Sequence, residues 1–204
     1  MAVASTGVLG GVFDPPHNGH VALARAAVEE LGLERLLVLV VADPGHKHTG
    51  TPAEIRLELA RLAFDDVPGA TVELDRHART VDSLEERDLE DGIFILGADE
   101  LAGFETWKSP QRVLELVILA VAVRPGVSRD EVRRVRERLD ASGRILEFEM
   151  EPVDVSSSEI RARVARGERI DDLVPPPVSA EIARLGLYRS GEYTATKREG
   201  REPD

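Results

Sequence analysis

Residues 10–20 read GGVFDPPHNGH, and this segment joins two glycines, a rigid Asp-Pro-Pro turn and two histidines. It follows the apolar run TGVLGG and precedes VALARAAVEELG, whose apolar residues recur at helical spacing. The sequence therefore predicts a strand, a glycine-rich turn and the start of a helix. Two imidazoles at that helix start would lie where backbone N–H groups and the helix dipole favour an anion.

The same alternation of strand and helix continues along the chain. The segments LERLLVLVVA, ATVELD, GIFILG, LVILAVAV and RILEFEM indicate further strands, with helical patterns between them. One such helix is expected in TPAEIRLELARLAF, with Thr51 as its N-cap and Pro52 as its first residue. Mostly apolar strands that alternate with helices predict an α/β fold, a Rossmann-like parallel sheet with helices on both faces. Ligands of such sheets bind beyond the carboxyl ends of the strands, where GGVFDPPHNGH and the later histidine-rich segment ADPGHKHTG fall.

Composition and charge restrict the class of protein. The 204 residues are 42% hydrophobic, which predicts a single domain over residues 1–188 and a polar, frayed tail over residues 189–204. The chain has no cysteine, no basic apolar leader and no apolar run of transmembrane length, so we expect a soluble, cytoplasmic protein. The net charge of −12 predicts that neither nucleic acid nor a membrane is a partner. The sequence does not decide the oligomeric state, and a homo-oligomer stays open.

Three interpretations are considered for the histidines of the first segment. His17 and His20 could each donate a hydrogen bond to a phosphate whose charge rises during a reaction. They could also be ordinary loop histidines. A His-x-x-His metal site is the third alternative, but no ligand of matching kind stands nearby, so we predict no metal held by the protein itself.

A second polar segment, SSSEIR at residues 156–161, begins another predicted helix. Ser156 and Glu159 have the spacing of a capping box, which is sufficient by itself to explain the segment. Its N–H groups, its hydroxyls and Arg161 would equally suit a polyphosphate. A third segment, ADPGHKHTG, places Lys47 on a loop after a strand, where it is either a solvated lysine or a ligand of an anion.

Taken together, GGVFDPPHNGH and SSSEIR resemble the two signatures of the adenylyl- and cytidylyltransferase superfamily, His-x-Gly-His and Ser-Ser-Ser/Thr-x-x-Arg. Within that superfamily, the Lys47 loop, FILGADELAGFETW and RTVDSL are similar to segments of the nicotinate-mononucleotide adenylyltransferases. The resemblance extends from Gly7 to about Tyr188.

This resemblance implies transfer of an adenylyl group from ATP to nicotinate mononucleotide, with magnesium accompanying the ATP. The products would be nicotinate adenine dinucleotide and pyrophosphate. The catalytic residues it implies are His17, His20, Lys47 and Arg161. The ATP-binding residues it implies are Gly10, Gly11, Phe13, His17, His20, Gly97, Asp99, Arg124, Ser156, Ser157, Ser158 and Arg161. The residues it implies for the acceptor substrate are Asp14, Lys47, Thr80 and Trp107.

The chain departs from the family pattern on the acceptor side of the site. Arg79 stands where tyrosine is usual, Ser83 replaces a threonine, and Val12 stands where threonine is frequent. Related adenylyltransferases of nicotinamide mononucleotide or phosphopantetheine are therefore alternatives, as is a nucleotide-binding regulator without catalysis. A class I tRNA synthetase would need a far longer chain and a surface for RNA.

Overall fold

The computed structural model describes residues 6–44, 50–87, 89, 92–123, 130–141 and 143–189. The six strands are β1 (Thr6–Gly11), β2 (Arg35–Val41), β3 (Ala70–Asp75), β4 (Ile93–Gly97), β5 (Ile118–Val123) and β6 (Ile145–Glu149). The helices are α1 (Asn18–Leu31), α2 (Ala53–Phe64), α3 (Thr80–Arg87), α4 (Ala98–Ala102), α5 (Pro110–Leu116), α6 (Asp130–Arg138), α7 (Ser157–Ala165) and α8 (Pro176–Leu185). A 3-10 turn, Phe104–Thr106, lies between α4 and α5.

The six strands form one parallel sheet in the order β3-β2-β1-β4-β5-β6. The chain builds outward from β1 to β3 and then returns to the other side of β1 with β4. This reversal between β1 and β4 is the topological switch point, where a crevice opens beyond the carboxyl ends of the strands. The predicted fold class, a Rossmann-like parallel sheet with helices on both faces, is confirmed.

Helices cover both faces of the sheet because its strands carry apolar residues on both sides. Adjacent residues of β1 belong to different cores: Leu9 belongs to the core that includes residues of α1, α2, α7 and α8, whereas Val8 belongs to the core that includes residues of α3 to α6. Successive side chains of a strand point to opposite faces, so the continuous apolar run predicted a sheet buried on both sides.

Some boundaries differ from the prediction. Pro52 is the N-cap of α2 instead of Thr51, which is buried, and the carbonyl of Thr51 accepts a hydrogen bond from Arg56. The helix α5 begins with proline and was not predicted as a separate element. No helix in the described part of the chain has the length and apolar character needed to cross a membrane. The predicted tail lies outside the described residues, apart from its first residue.

Candidate active site

A cavity of about 790 Å³ opens at the switch point between β1 and β4. The segments that follow β1 and β3, the start of α1 and the start of α7 supply most of its polar surface. The cavity wall includes residues 9–14, His20, residues 77–80, Trp107, Ser157, Ser158 and Arg161. The two signature segments of the sequence therefore meet at one site.

The start of α1 holds His20 in a defined orientation. His17 is the N-cap of α1, and its backbone N–H donates to Nδ1 of His20 at 3.2 Å. The two imidazole rings stack with their centroids 3.6 Å apart, and the edge of the Phe13 ring packs against His20 at 5.0 Å. His20 thus has little freedom to rotate away from the cavity that it lines.

The hydrogen bond to Nδ1 also decides which nitrogen of His20 can donate. Burial lowers the pKa of His20 well below its ordinary value, and the neighbouring His17 lowers it further, so the ring is neutral at neutral pH. A neutral imidazole that accepts at Nδ1 carries its proton on Nε2. His20 therefore offers one N–H donor, at Nε2.

His17 has a different position from the one expected. Its side chain is buried behind His20 and is not among the described residues that line the cavity. Burial lowers the pKa of His17 to about 4, and its buried Nδ1 has no hydrogen-bond partner in the described part of the chain. In this conformation His17 supports His20 more directly than it reaches a ligand.

Two glycines of the first segment allow these close approaches. A Cβ atom at Gly19 would lie 3.1 Å from Nδ1 of His17 and 3.2 Å from Val155, and a Cβ at Gly11 would lie 2.7 Å from the Phe13 ring. Contacts this short force a neighbour to move, so a side chain at Gly19 would disturb the stacked histidines. The glycine of the His-x-Gly-His pattern is thus explained by packing.

The start of α7 docks on the Asp14–Pro15 turn. Ser157 Oγ donates to the carbonyl of Pro15 at 2.8 Å, and Arg161 Nη1 donates to the carbonyl of Asp14 at 2.6 Å. Arg161 Nη2 also donates to Ser158 Oγ at 3.2 Å. These bonds join segments more than 140 residues apart and place Ser157, Ser158 and Arg161 on the cavity wall.

Ser156 has the capping role that was the simpler interpretation. It is the N-cap of α7, and its Oγ accepts from the backbone N–H of Glu159. The Glu159 carboxylate pairs with Arg163. Ser156 is not among the described residues that line the cavity.

Arg56 organises the loops behind the cavity, a role that is not among the predicted ones. Its side chain is 1% exposed and donates to four backbone carbonyls at 2.7–3.1 Å. The acceptors are the carbonyls of Val12, Val41, Ala42 and Thr51. One buried guanidinium therefore ties the loops after β1 and β2 to the start of α2. An arginine on the apolar side of the predicted helix was the available signal.

Asp14 also has a partner that the sequence did not reveal. Its buried carboxylate accepts from the hydroxyl of Tyr188, with Oδ1 at 2.7 Å. Burial, with the Asp14 charge second, raises the pKa of Tyr188, so the phenol stays protonated. This bond fastens the end of the described chain to the cavity floor.

The residues predicted for the acceptor lie together at another part of the wall. Thr80 begins α3, and Trp107 is half-buried against the rings of Phe94 and Phe104, with centroids at 5.9 and 5.2 Å. Both Thr80 and Trp107 line the cavity. A half-buried indole with one side on core rings can stack on a planar ligand.

His77, which is not among the predicted site residues, also lines the cavity near this end. Its Nδ1 contacts the buried carboxylate of Asp75 at 2.8 Å, and its Nε2 contacts Glu86 at 2.6 Å. Hydrogen bonds to Asp75 and Glu86 raise the pKa of His77 against the opposing effect of burial. The His77 ring thus links the end of β3 to α3.

The remaining predicted residues divide between the described and undescribed parts of the chain. Gly10 lies on the cavity wall, with room for a Cβ at 3.5 Å from Phe94. Gly97 is the N-cap of α4 and donates to Glu100, and it is not among the described lining residues. Asp99 belongs to α4, but its side chain, like Lys47 and Arg124, lies outside what the structure describes.

The chain matches the protein-family model described as cytidylyltransferase-like over residues 8–163. Curated relatives named "probable nicotinate-nucleotide adenylyltransferase" include one from Rubrobacter xylanophilus, 38% identical over 90% of this chain and 92% of the relative. Another, from Chromobacterium violaceum, is 35% identical over 91% of this chain and 99% of the relative.

Solved structures resemble the fold at lower sequence identity. The Plasmodium falciparum nicotinic acid mononucleotide adenylyltransferase complexed with NaAD superposes with a TM-score of 0.75 at 14% identity. The match covers 90% of this chain and 97% of that structure. At this identity the likeness shows a shared fold.

Proposed function

Because this chain belongs to the cytidylyltransferase-like family, and within it to the nicotinate-nucleotide adenylyltransferases, we propose that it joins ATP and nicotinate mononucleotide. The products are nicotinate adenine dinucleotide and pyrophosphate, and the reaction is a step of NAD biosynthesis. The chain is thus an enzyme of the nucleotidyltransferase class. The match to relatives named as nicotinate-nucleotide adenylyltransferases extends over nearly the whole length of those relatives.

One observation supports this function most strongly, the docking of α7 on the turn that precedes α1. The bonds from Ser157 and Arg161 to Pro15 and Asp14 place two helix starts at one cavity wall. Backbone N–H groups at helix starts, with a guanidinium beside them, suit a polyphosphate. His20 lies next to them with a single N–H donor.

The reaction needs no nucleophile from the protein. An oxygen of the acceptor's phosphate attacks the α-phosphorus of ATP, a new P–O bond forms, and the bond from the α-phosphorus to the bridging oxygen breaks to release pyrophosphate. A phosphate monoester has its second pKa near ~6, so it is mostly a dianion at neutral pH and needs no general base. The contribution of the protein is then position and charge stabilisation.

We assign His20 as the donor to the α-phosphate, where negative charge develops as the bonds exchange. Its Nε2–H is fixed by the bond that Nδ1 accepts, which makes it a preorganised donor. Arg161 binds the β- or γ-phosphate, and Ser157 and Ser158 lie beside it. His17 acts through its stacking contact with His20. Lys47 remains a proposed phosphate ligand on the resemblance alone.

The remaining predicted residues divide between the two substrates. Gly10, Gly11 and Phe13 form the wall beneath ATP, with Gly97, Asp99, Arg124 and Ser156 as further proposed ATP residues. Thr80 and Trp107 bind the acceptor, with Trp107 stacking on its pyridine ring, and Asp14 shapes the floor between the two ends.

Magnesium enters this scheme as part of the ATP substrate. Among the described residues there is no group of three or more histidine, aspartate or glutamate side chains able to hold a metal. Mg²⁺ commonly keeps several waters and binds through substrate phosphates, so we propose that the phosphates carry it. We also propose a cytoplasmic location, which the lack of cysteine fits.

The test is pyrophosphate release by the purified chain with ATP and Mg²⁺ and one of three acceptors. Nicotinate mononucleotide should give a kcat/KM roughly tenfold or more above that of nicotinamide mononucleotide, and phosphopantetheine should not react. Mass spectrometry should identify the dinucleotide.

Each other outcome changes a different part of the proposal. Equal use of both pyridine mononucleotides would remove the preference for the acid and keep the enzyme class. Reaction with phosphopantetheine alone would overturn the acceptor. Binding of ATP without pyrophosphate release from any acceptor would indicate a nucleotide-binding regulator.

A further inference from the structure

We propose that Arg79 binds the ring carboxylate of the acceptor and so determines the preference of this chain for the acid over the amide. The inference rests on the proposed function and assigns a specificity residue within it. Arg79 places a cation on the cavity wall directly before α3.

The guanidinium of Arg79 is available to a ligand. Arg79 is exposed, lines the cavity, and lies directly before α3. Its hydrogen bond within the described part of the chain is a long one, from Nη1 to the carbonyl of Ala78 at 3.3 Å. A guanidinium has five N–H donors in a planar fork, so most of its donors remain for a carboxylate.

Two other basic side chains on the described cavity wall, His77 and Arg161, already have partners or a role elsewhere in the cavity. Both ring nitrogens of His77 contact carboxylates, which leaves no donor for an acceptor. Arg161 is bonded to Asp14 and Ser158 and lies on α7, at the end of the cavity assigned to ATP. Of the lining residues that the structure describes, Arg79 is therefore the cation left for the acceptor.

Arg79 also lies at the same end of the cavity as Trp107. Lys108, the neighbour of Trp107, contacts both carboxylate oxygens of Asp82 at 2.8 and 3.1 Å. Asp82 is in the first turn of α3, which Arg79 directly precedes. A pyridine ring stacked on Trp107 would thus carry its substituent close to the start of α3.

The difference between carboxylate and carboxamide suits a guanidinium. A planar fork can donate two parallel hydrogen bonds to a carboxylate. A neutral carboxamide offers it one acceptor oxygen, and the NH2 group of the carboxamide is itself a donor and cannot accept the second bond. Because the protein has a net charge of −12, an anionic ring substituent needs such a local cation.

The experiment compares kcat/KM for nicotinate and nicotinamide mononucleotides in the wild type and three variants, Arg79→Gln, Arg79→Lys and Arg76→Gln. Arg76 is the matched control, an exposed arginine of the same turn that is not among the described lining residues. Arg79→Gln should lower kcat/KM for the acid roughly tenfold or more and leave that for the amide near wild type. For Arg79→Lys, kcat/KM with the acid should lie between the values of the wild type and Arg79→Gln, because an ammonium keeps the charge and loses the planar fork. Arg76→Gln should change neither acceptor, and the KM for ATP should stay constant throughout.

An unchanged ratio of the two acceptors in Arg79→Gln would overturn the assignment, and so would an equal loss with both. If Arg79→Gln does not fold, the ratio in Arg79→Lys decides in the same way. A wild type that uses neither pyridine mononucleotide would refute the proposed function itself. Normal wild-type turnover with an unaltered ratio in the variants would refute only the role of Arg79.

Discussion

Replacement of Arg56 by methionine should destabilise the fold more than any surface arginine can. Methionine keeps an apolar stem in the buried site and removes the guanidinium, so the carbonyls of Val12, Val41, Ala42 and Thr51 lose their donor. A buried polar group left without a partner costs about 1–3 kcal/mol, so the sum over the four carbonyls is an upper limit on the loss in free energy of unfolding. The variant also avoids the desolvation of a buried charge, which offsets part of this cost.

We therefore expect the free energy of unfolding to fall by about 3–5 kcal/mol, below the sum for four unpaired carbonyls because the buried charge is removed with the guanidinium. For a chain of this length that corresponds to a fall in Tm of about 10 °C. The measurement is urea denaturation followed by circular dichroism, with thermal unfolding alongside.

Arg166→Met is the matched control, since Arg166 makes an ion pair with Glu168 at the surface. Its free energy of unfolding should stay close to that of the wild type, because exposed ion pairs contribute little to stability. A loss below about 1 kcal/mol in Arg56→Met, with an unchanged denaturant slope, would refute the reasoning, because it would mean that the four carbonyls find water or new partners at little cost.

Two further predictions concern Arg161 and His77. Arg161→Lys should raise the KM for ATP and lower kcat, each by roughly tenfold. The reason is that an ammonium cannot bind the Asp14 carbonyl, Ser158 and a phosphate in one plane. Wild-type values of KM and kcat in this variant would mean that the start of α7 is only a capped helix and does not bind ATP. The raised pKa of His77 means that its contacts with Asp75 and Glu86 stabilise the fold fully below its ordinary pKa of 6.5, and that this stabilisation is lost as the pH rises through the folded-state pKa. The difference in free energy of unfolding between wild type and His77→Gln should therefore shrink from pH 6 to pH 9 in urea titrations, and a constant difference would contradict it.

The fold could be predicted because its determinants are local. The apolar runs of β1, β2, β4 and β5 indicate strands buried on both faces, and such strands alternating with helices form parallel sheets. Parallel strands share one carboxyl edge, so segments that follow different strands were expected to meet. The docking of α7 on the Asp14–Pro15 turn agrees with that expectation.

The parts of the site that could not be predicted depend on contacts between distant residues. Nothing near Arg56 in the sequence indicates that its acceptors lie up to 44 residues away, and the Asp14–Tyr188 bond spans 174 residues. His17 is buried while His20 lines the cavity, because their rings stack on each other beside Gly19, which leaves room for His17. The spacing of the histidines in the sequence does not reveal this stacking. Side-chain burial decides these cases, and it is a property of the packed chain.

The most direct test of the account is the kcat of His20→Ala with ATP and nicotinate mononucleotide, measured together with the Kd for ATP. We expect kcat to fall roughly a hundredfold or more, the scale of one lost transition-state donor, with ATP binding near that of the wild type. Turnover close to wild type in this variant would contradict it, because adenylyl transfer would then not depend on the donor that the start of α1 holds in the cavity.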